Sequence, residues 1–342
     1  MNKEKIEYDP GIVVVFGATG TLGTYLVDAL ANSGYEVFAC ARRNIDHERY
    51  AAKGVQCASV DIITKMGFEN LPQRHIRAVI QIAGAMPSRM SGYKPEVYID
   101  VNITGTLNVL EYCRTVNAGV FVFMQSHSDV AGHWNSTTPI SANATRRLNL
   151  RGDHAVYIIT KNAAVDLVEH YHQEYGIRTV TLRLPTIYCY TPLNEMFVNG
   201  AKRPIAYLYM IERAIRGEPL EIWGDPSISK DIVYVKDYTQ IVLRAVESLC
   251  GQGIYNVGTG IGTSLEQQVR GIVSVFSPQD NPSPVIYRKD MPSQTGFIYD
   301  ISATKADLGY EPQYNYLAML NDMKMEIDAH RFAKLNTEDL AI

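Results

Sequence analysis

Short apolar runs alternate with longer mixed segments through the first half of the chain. The runs predict strands at 12–16, 35–41, 55–59, 78–83, 120–124 and 178–184. The mixed segments at 95–116 and 154–175 have apolar positions at the spacing of a helix with one buried face. Strands that alternate with helices indicate right-handed βαβ units. We therefore predict an α/β fold with a doubly wound parallel sheet and helices on both of its faces.

The pattern changes after Pro185, where proline and glycine become more frequent and strands no longer alternate regularly with helices. We predict one domain over residues 1–184 and a smaller α/β lobe over residues 185–334. A segment near 232–258 is expected to return to the sheet of the first domain. Residues 335–342 are expected to form a loose tail.

A glycine-rich stretch, GATGTLG at 17–23, joins the first predicted strand to the helix that follows it. Glycine at such a turn lets backbone N–H groups approach a pyrophosphate, and the positive end of the helix favours its charge. A tight turn without a ligand is the alternative. Because the required strand and helix both flank the stretch, we predict that the first domain binds a dinucleotide and the second lobe binds the substrate.

Tyr157 and Lys161 lie four positions apart in a predicted helix, which puts them on one helix face. A nearby ammonium group favours the phenolate and lowers the pKa of a tyrosine, so that it can act as a general acid or base. Beside a nicotinamide, such a tyrosine removes a hydroxyl proton while hydride leaves the same carbon. The spacing is also common on plain helix surfaces, but the dinucleotide loop upstream favours the catalytic interpretation.

Further short motifs follow in a fixed order along the chain. They are Asp61-Ile62, QIAGA at 81–85, PEVYIDVN at 95–102, GEPLEIWGD at 217–225, DIVYVKD at 231–237, YNVG at 255–258 and LGYEP at 308–312. Together with the glycine loop, Tyr157 and Lys161, this order resembles the extended short-chain dehydrogenase/reductases, in the branch of NAD(P)-dependent nucleotide-sugar epimerases and dehydratases. The resemblance implies an enzyme with a Rossmann-type sheet and a smaller substrate-binding lobe.

The resemblance also implies roles for individual residues. The pyrophosphate would lie on the loop, the adenine beside the third strand and the ribose beside the fourth, while Asn102 would support the site from its helix. Tyr157 and Lys161 would contact the nicotinamide ribose and the substrate. The cofactor-binding residues are then Gly17, Thr19, Gly20, Thr21, Leu22, Asp61, Ile62, Ala83, Gly84, Asn102, Tyr157, Lys161, Pro185 and Ile187.

The end of the second strand bears on the choice of nicotinamide cofactor. Relatives that use NAD place a carboxylate there for the adenosine ribose, whereas this chain has Ala41 followed by Arg42 and Arg43. An arginine there pairs with a 2′-phosphate through charge-assisted, bidentate hydrogen bonds. We therefore predict NADP over NAD; the alternative is that the two arginines form a solvated turn.

Two positions after the fifth strand depart from the family pattern. Counting back from Gly132 puts His127 where relatives carry a serine or threonine that bonds the reacting hydroxyl. His127 has a near-neutral unperturbed pKa suited to acid–base work; alternatively Ser126 takes the role, or His127 only packs. Asp129 falls where 4,6-dehydratases carry an acid for eliminating water, but the match is partial.

The substrate side differs from the family pattern as well. Thr186 replaces a common asparagine, and Lys230 replaces an arginine that contacts a nucleotide phosphate; a lysine offers a point charge there without bidentate geometry. Arg288 is a further candidate phosphate contact. We predict epimerisation of a nucleotide sugar or a similar polyhydroxylated substrate. Dehydration, simple oxidation or reduction, and a non-catalytic NADP-binding sensor are the alternatives.

Composition and charge limit the binding partners and the cellular location that we expect for the protein. The net charge of −4 over 342 residues leaves no basic footprint for nucleic acid. No apolar stretch reaches the roughly 20 residues that cross a bilayer, the charged start lacks a signal-peptide core, and the five cysteines have no metal-ligand spacing. We predict a cytoplasmic protein without a metal. The resemblance implies a homodimer through segments 95–116 and 154–175, although their apolar faces equally suit burial against the sheet.

Overall fold

The computed structural model describes residues 11–42 and 50–332, apart from the side chain of Asp153. Arg43 and the predicted tail at 335–342 lie outside these residues. The described strands are β1 Ile12–Phe16, β2 Glu36–Ala41, β3 Gln56–Ser59, β4 Ile76–Gln81, β5 Phe121–Ser126, β6 Thr179–Leu184, β7 Ile187–Tyr188, β8 Glu195–Val198, β9 Ala201–Pro204, β10 Leu220–Trp223, β11 Ser229–Asp231, β12 Val233–Tyr234, β13 Gly253–Asn256, β14 Gly262–Ser264 and β15 Val285–Arg288.

Seven of these strands form one parallel sheet in the order β13-β6-β5-β4-β1-β2-β3. The predicted doubly wound sheet is confirmed, and each of the six predicted strands is present within two residues of its expected bounds. β4 ends at Gln81 because the backbone N–H groups of Ile82 and Ala83 both turn to donate to the carbonyl oxygen of Phe16. β1 has β4 on one side and β2 on the other, so the strand order reverses beside it. Open α/β sheets bind ligands in the crevice at such a point.

Alternation along β1 explains the two cores of the molecule. Val13 and Val15 pack in one buried cluster, while Val14 and Phe16 pack in another. Successive strand residues point to opposite faces of a sheet, so a strand that is apolar throughout needs cover on both faces.

The cover comes from helices. They are α1 Thr21–Asn32, α2 Pro95–Tyr98, α3 Gly105–Thr115, α4 Asp153–Tyr175, α5 Ala206–Ile215, α6 Val235–Glu247, α7 Leu265–Phe276, α8 Ser302–Leu308 and α9 Tyr316–Asp328. The prediction of one continuous helix over 95–116 is wrong in detail, because a π-helical stretch, Ile99–Thr104, separates α2 from α3. Such wide turns are frequent at functional sites.

Beyond β6 the chain forms small two-stranded pairings. β7 pairs with β12 and β10 with β15 in parallel, whereas β8 with β9 and β11 with β14 are antiparallel. The return to the main sheet lies within the predicted segment, since β13 pairs in parallel with β6 at one edge. No helix among the described residues is long and apolar enough to span a membrane.

Candidate active site

The glycine loop lies at the carboxyl end of β1, at the crevice. Gly17 has φ of +92°, and a Cβ there would lie 2.6 Å from the backbone nitrogen of Ala83. A Cβ on Gly23 would lie 2.1 Å from the carbonyl oxygen of Gly17. No side chain caps the start of α1 at Gly20. The loop therefore presses close to β4 and leaves the first-turn N–H groups of α1 for an anion, which fits a dinucleotide pyrophosphate.

The predicted adenine and ribose contacts are placed along the same edge. The Asp61 carboxylate accepts the backbone N–H of Ile63 at 2.8 Å, and Ile62 is buried beneath Gly105. Ala83 and Gly84 leave β4 next to the glycine loop, and both keep partial exposure. The partial exposure of Ala83 and Gly84 leaves both residues accessible to a ligand. The predicted roles of these residues in binding adenine and ribose stay predictions.

Asn102 is buried in the π-helical stretch and ties three segments together. Its Oδ1 accepts the backbone N–H of Ala85 at 2.9 Å, and its Nδ2 donates to the carbonyl oxygen of Ala85 at 3.1 Å and to Thr160 Oγ1 at 3.2 Å. The wide turn brings this amide to the loop after β4. It thereby holds that loop against α4, the helix of Tyr157 and Lys161.

Tyr157 and Ser126 meet where α4 crosses the end of β5. Burial raises the pKa of Tyr157, and a hydrogen bond from Ser126 works in the opposite direction. The expected lowering of this pKa by Lys161 is therefore wrong for the protein alone. The ammonium group lies 3.9 Å from the ring centroid of Phe123 and contributes no resolved effect on the phenol.

Lys161 is itself the unusual charge of the site. The residue is 6% exposed, and its Nζ has no hydrogen-bonding or carboxylate partner among the described residues. Burial lowers the pKa of Lys161 to about 7. A buried cation without a partner is costly unless a ligand supplies one, so Lys161 fits a site that is completed by a ribose or a substrate oxygen.

His127 does not occupy the place that its position in the sequence suggests. Its Nδ1 lies 2.9 Å from the hydroxyl oxygen of Tyr299, and its ring packs against Trp134 and Phe297. Burial and the charges of Lys230 and Arg183 lower the pKa of His127 to about 3. The near-neutral titration expected for acid–base work is therefore wrong. Ser126 is the residue placed beside Tyr157, a one-residue shift that counting along the sequence cannot detect.

The Asp129 carboxylate is engaged by Arg183, so it is not free to act as the acid that a dehydratase uses to eliminate water. Its carboxylate accepts three hydrogen bonds from the Arg183 guanidinium at 2.9–3.1 Å, and both side chains are 1% exposed. Arg183 also donates to Ala142 and Asn256. The pair joins the end of β5 to β6 and serves as an internal structural link.

The three residues predicted to contact the substrate differ in their exposure and in their partners. Thr186 is exposed between β6 and β7, whose flanking Pro185 and Ile187 are buried. Lys230 on β11 has its Nζ 5.8 Å from the Tyr188 ring centroid and lies near His127. Arg288 instead bonds Asp290 at 3.0 Å and Glu221 at 3.4 Å, so two carboxylates already engage its guanidinium group.

Arg89 is a candidate that the sequence reasoning missed. It belongs to a short turn, Pro87–Arg89, that packs against α4 and β8. Burial lowers the pKa of Arg89, and its guanidinium has no carboxylate partner among the described residues; it donates only to the carbonyl oxygen of Glu195, at 3.5 Å. A basic residue just after the QIAGA motif was the available signal. Among the described residues, no cluster of side chains fits a metal ion.

Comparison with known proteins identifies the class of enzyme. The sequence model of the NAD dependent epimerase/dehydratase family matches residues 13–258. The chain therefore belongs to this family, and the resemblance inferred from its motifs is confirmed.

Individual relatives are distant. The chain is 25% identical over 316 residues to a UDP-glucuronate 4-epimerase of Thermodesulfobacterium geofontis, which covers 89% of this chain and 92% of that protein. It is equally similar over 316 residues to a dTDP-glucose 4,6-dehydratase of Xanthomonas campestris, at 25% identity with 85% and 82% coverage.

Solved structures share the fold. The UDP-N-acetylglucosamine 4-epimerase of Methanobrevibacter ruminantium superposes with a TM-score of 0.75 at 19% identity, covering 94% of this chain and 99% of that one. The UDP-glucose 4-epimerase of Thermus thermophilus in complex with NAD gives a TM-score of 0.71 at 22% identity, with 94% and 99% coverage.

Proposed function

We propose that this protein is a nicotinamide-dependent epimerase that inverts a hydroxyl-bearing carbon in the sugar of a UDP-sugar. The observation that carries the proposal is the hydrogen bond between Ser126 and Tyr157, with the buried, unpartnered Lys161 one turn further along α4. UDP-sugar epimerases among the relatives and the solved structures support the substrate class.

The residues present fit a nicotinamide dinucleotide, because glycines line the close approach of the loop and α1 leaves its N-terminus uncapped. A nicotinamide held there would supply the hydride acceptor and donor that inversion of a sugar carbon requires. Tyr157 accepts the proton of the sugar hydroxyl at its phenol oxygen and later gives it back. Ser126 orients that hydroxyl. Lys161 has no resolved effect on the phenol in the protein alone, so we expect its ammonium group to favour the phenolate only once a bound ribose or substrate oxygen orders it.

Epimerisation is favoured over dehydration by the contacts of Asp129. A dehydratase needs an acid near the departing hydroxyl, whereas the Asp129 carboxylate is held by Arg183 away from water. No other carboxylate contacts Ser126 or Tyr157 among the described residues. The contact between Tyr157 and Ser126 and the buried Lys161 support the proposal of epimerisation.

Turnover of three candidate substrates tests this proposal. Purified protein is incubated with UDP-glucose, UDP-glucuronate or UDP-N-acetylglucosamine, and the products are identified by NMR. We expect a 4-epimer from at least one of them and at least a 100-fold loss of kcat in Tyr157→Phe. Stoichiometric accumulation of reduced cofactor indicates a dehydrogenase instead, a 4-keto-6-deoxy product indicates a dehydratase, and cofactor binding without turnover indicates a sensor.

We also propose that the enzyme prefers NADP. The end of β2 carries the buried Ala41 and the exposed Arg42, and no carboxylate lies there among the described residues. Arg42 is free to meet a 2′-phosphate. Titration of cofactor-free protein with NADP and NAD measures the preference; Ala41→Asp is expected to weaken NADP binding selectively, and a clear preference of the wild type for NAD contradicts this proposal.

A second copy of the chain is proposed to cover the adjoining helices α3 and α4. Ile99, Leu107 and Ile159 are 48%, 38% and 47% exposed on or beside these helices, which pack against each other. We expect a dimer by sedimentation and a monomer for the Leu107→Glu, Ile159→Glu double variant. Leu249→Glu, at a loop position that is 84% exposed, serves as control. A wild-type monomer contradicts the proposal.

The cytoplasm is the proposed location, and the absence of a disulfide at Cys40, Cys113, Cys189 and Cys250 supports it. Fractionation of source cells tests the assignment. Recovery of the protein outside the cytoplasmic fraction contradicts it.

A further inference from the structure

We propose that His127 is a neutral hydrogen-bond donor of the substrate cleft, held in the Nε2–H tautomer by Tyr299, and that it binds a sugar oxygen. The proposal rests on the proposed function, because it assigns a second polar contact to the same cleft. It gives His127 a binding role that needs no titration.

The hydrogen-bonding partners of Tyr299 determine the tautomer. Tyr299 is 1% exposed, and its hydroxyl finds one acceptor among the described residues, Nδ1 of His127 at 2.9 Å. The indole N–H of Trp134 faces the same oxygen closely enough to lower the pKa of Tyr299, against the raising effect of burial, although its geometry falls short of a full hydrogen bond. Because Nδ1 of His127 is the one acceptor in reach of this buried hydroxyl among the described residues, the Tyr299 proton points to His127.

The opposite arrangement is less favourable. If Nδ1 carried the proton, it would donate to the Tyr299 oxygen, and the buried Tyr299 proton would have no acceptor. Leaving a buried donor unsatisfied costs about 1–3 kcal/mol. His127 therefore accepts at Nδ1 and carries its proton at Nε2.

Nε2 of His127 is not fully enclosed. It has no hydrogen-bonding partner among the described residues, and it is not one of the buried polar atoms left unsatisfied, so it is accessible to solvent or ligand. The residue before it, Ser126, bonds Tyr157, and Lys230 lies near the imidazole. A fixed N–H therefore borders the cleft between the reacting tyrosine and a free ammonium group.

These neighbours define the chemistry of the partner. Nε2–H is a donor only, the Lys230 ammonium is a donor only, and neither has a carboxylate partner among the described residues. The complementary group is an oxygen with free lone pairs, namely a sugar hydroxyl oxygen or the carbonyl oxygen formed from it. Tyr299 is a positioning residue, since it acts through His127.

Nitrogen-15 NMR of the full-length wild-type protein at pH 7 reads the tautomer directly, with His127→Phe identifying the signal. We expect Nε2–H for His127. His172 is an internal control of the opposite kind, because its Nδ1 lies 2.9 Å from the carbonyl oxygen of Ile177 and must carry the proton. We expect Tyr299→Phe to mix the two tautomers of His127 and to leave His172 unchanged. An Nδ1–H or doubly protonated His127 in the wild type overturns the proposal.

Kinetics with the UDP-sugar that the wild type converts give the second readout. His127→Phe keeps the ring volume without a donor and is expected to lower kcat/KM at least tenfold. His127→Gln offers an amide N–H near the Nε2 position and is expected to recover most of that loss. Tyr299→Phe is expected to lower kcat/KM about threefold to tenfold in the wild type but to add nothing in His127→Phe.

The outcomes separate the two proposals. An unchanged kcat/KM in His127→Phe overturns the role of His127 and leaves the proposed function standing. Absence of turnover by the wild type overturns the proposed function, while the nitrogen spectrum still decides the tautomer. If His127→Phe fails to fold, the wild-type spectrum and His127→Gln carry the test.

Discussion

At the scale of single residues, the site is defined by two side chains whose surroundings change their protonation, Lys161 and His127. Lys161 is a buried cation without a counter-charge, and its pKa is lowered to about 7. His127 is neutral because burial and two nearby cations disfavour its proton. The sequence predicted that both residues belong to the site. It did not predict their protonation, which depends on burial for both residues and also on the charges of Lys230 and Arg183 for His127.

Lys161 gives a prediction about stability and pH. Its folded-state pKa lies below the ordinary value of 10.5. Between about pH 7 and pH 10 the unfolded chain therefore binds more protons, and the contribution of Lys161 to the free energy of unfolding rises with pH. Lys161→Met is expected to stabilise the cofactor-free protein at pH 7 by on the order of 3 kcal/mol and less at pH 10. Urea unfolding at both pH values measures this.

Lys305→Met is a suitable control for that prediction, because Lys305 is exposed and pairs only with Glu311 at the surface. We expect it to change stability by less than about 1 kcal/mol at either pH. If Lys161→Met destabilises the protein equally at both pH values, the buried charge is not the cause.

At the scale of elements, contacts between distant segments decide what each strand end presents. The π-helical stretch brings Asn102 to Ala85, and where the short 3-10 helix begins after β5, Ser126 bonds Tyr157 while His127 bonds Tyr299. Apolar periodicity predicted the strands and long helices closely. It could not predict these local departures, since a single inserted residue in a turn leaves the pattern of buried positions almost unchanged.

The link between β5 and β6 gives a prediction at this scale. Asp129→Asn leaves the Arg183 guanidinium buried without its carboxylate and is expected to lower the free energy of unfolding by about 3–5 kcal/mol. The surface pair Arg146–Asp166 is a matched control, with side chains 35% and 65% exposed. Asp166→Asn is expected to cost less than about 1 kcal/mol. Equal effects of the two variants in denaturant unfolding contradict the structural role of Asp129.

The glycine loop gives a second prediction at the scale of elements. Gly17→Ala places a Cβ against the backbone of Ala83 at a positive φ, so we expect at least a tenfold loss of dinucleotide affinity. Gly34 has a similar φ of +84° with no atom within 4 Å of a built Cβ. Gly34→Ala should therefore share the backbone strain of Gly17→Ala but keep wild-type affinity. Calorimetric titration measures both, and equal affinity losses contradict the steric account.

At the scale of the whole molecule, the sheet order places the glycine loop, the β4 loop and the end of β5 at one crevice. The motifs predicted this gathering because parallel strands bring their carboxyl ends to one edge. The division into residues 1–184 and 185–334 stays a prediction, as does the dimer. Asp129 shows the limit of motif matching, because its partner Arg183 lies 54 positions away.

The central claim is that hydride leaves one sugar carbon and returns to the same carbon on its other face. The most direct measurement is the reaction of the wild-type enzyme with a UDP-sugar in deuterium oxide, followed by NMR of the inverted carbon. Hydride return predicts a 4-epimer that carries protium at that carbon, formed at least about 100-fold more slowly by Tyr157→Phe. Deuterium at the inverted carbon, or a Tyr157→Phe variant with wild-type turnover, contradicts the account.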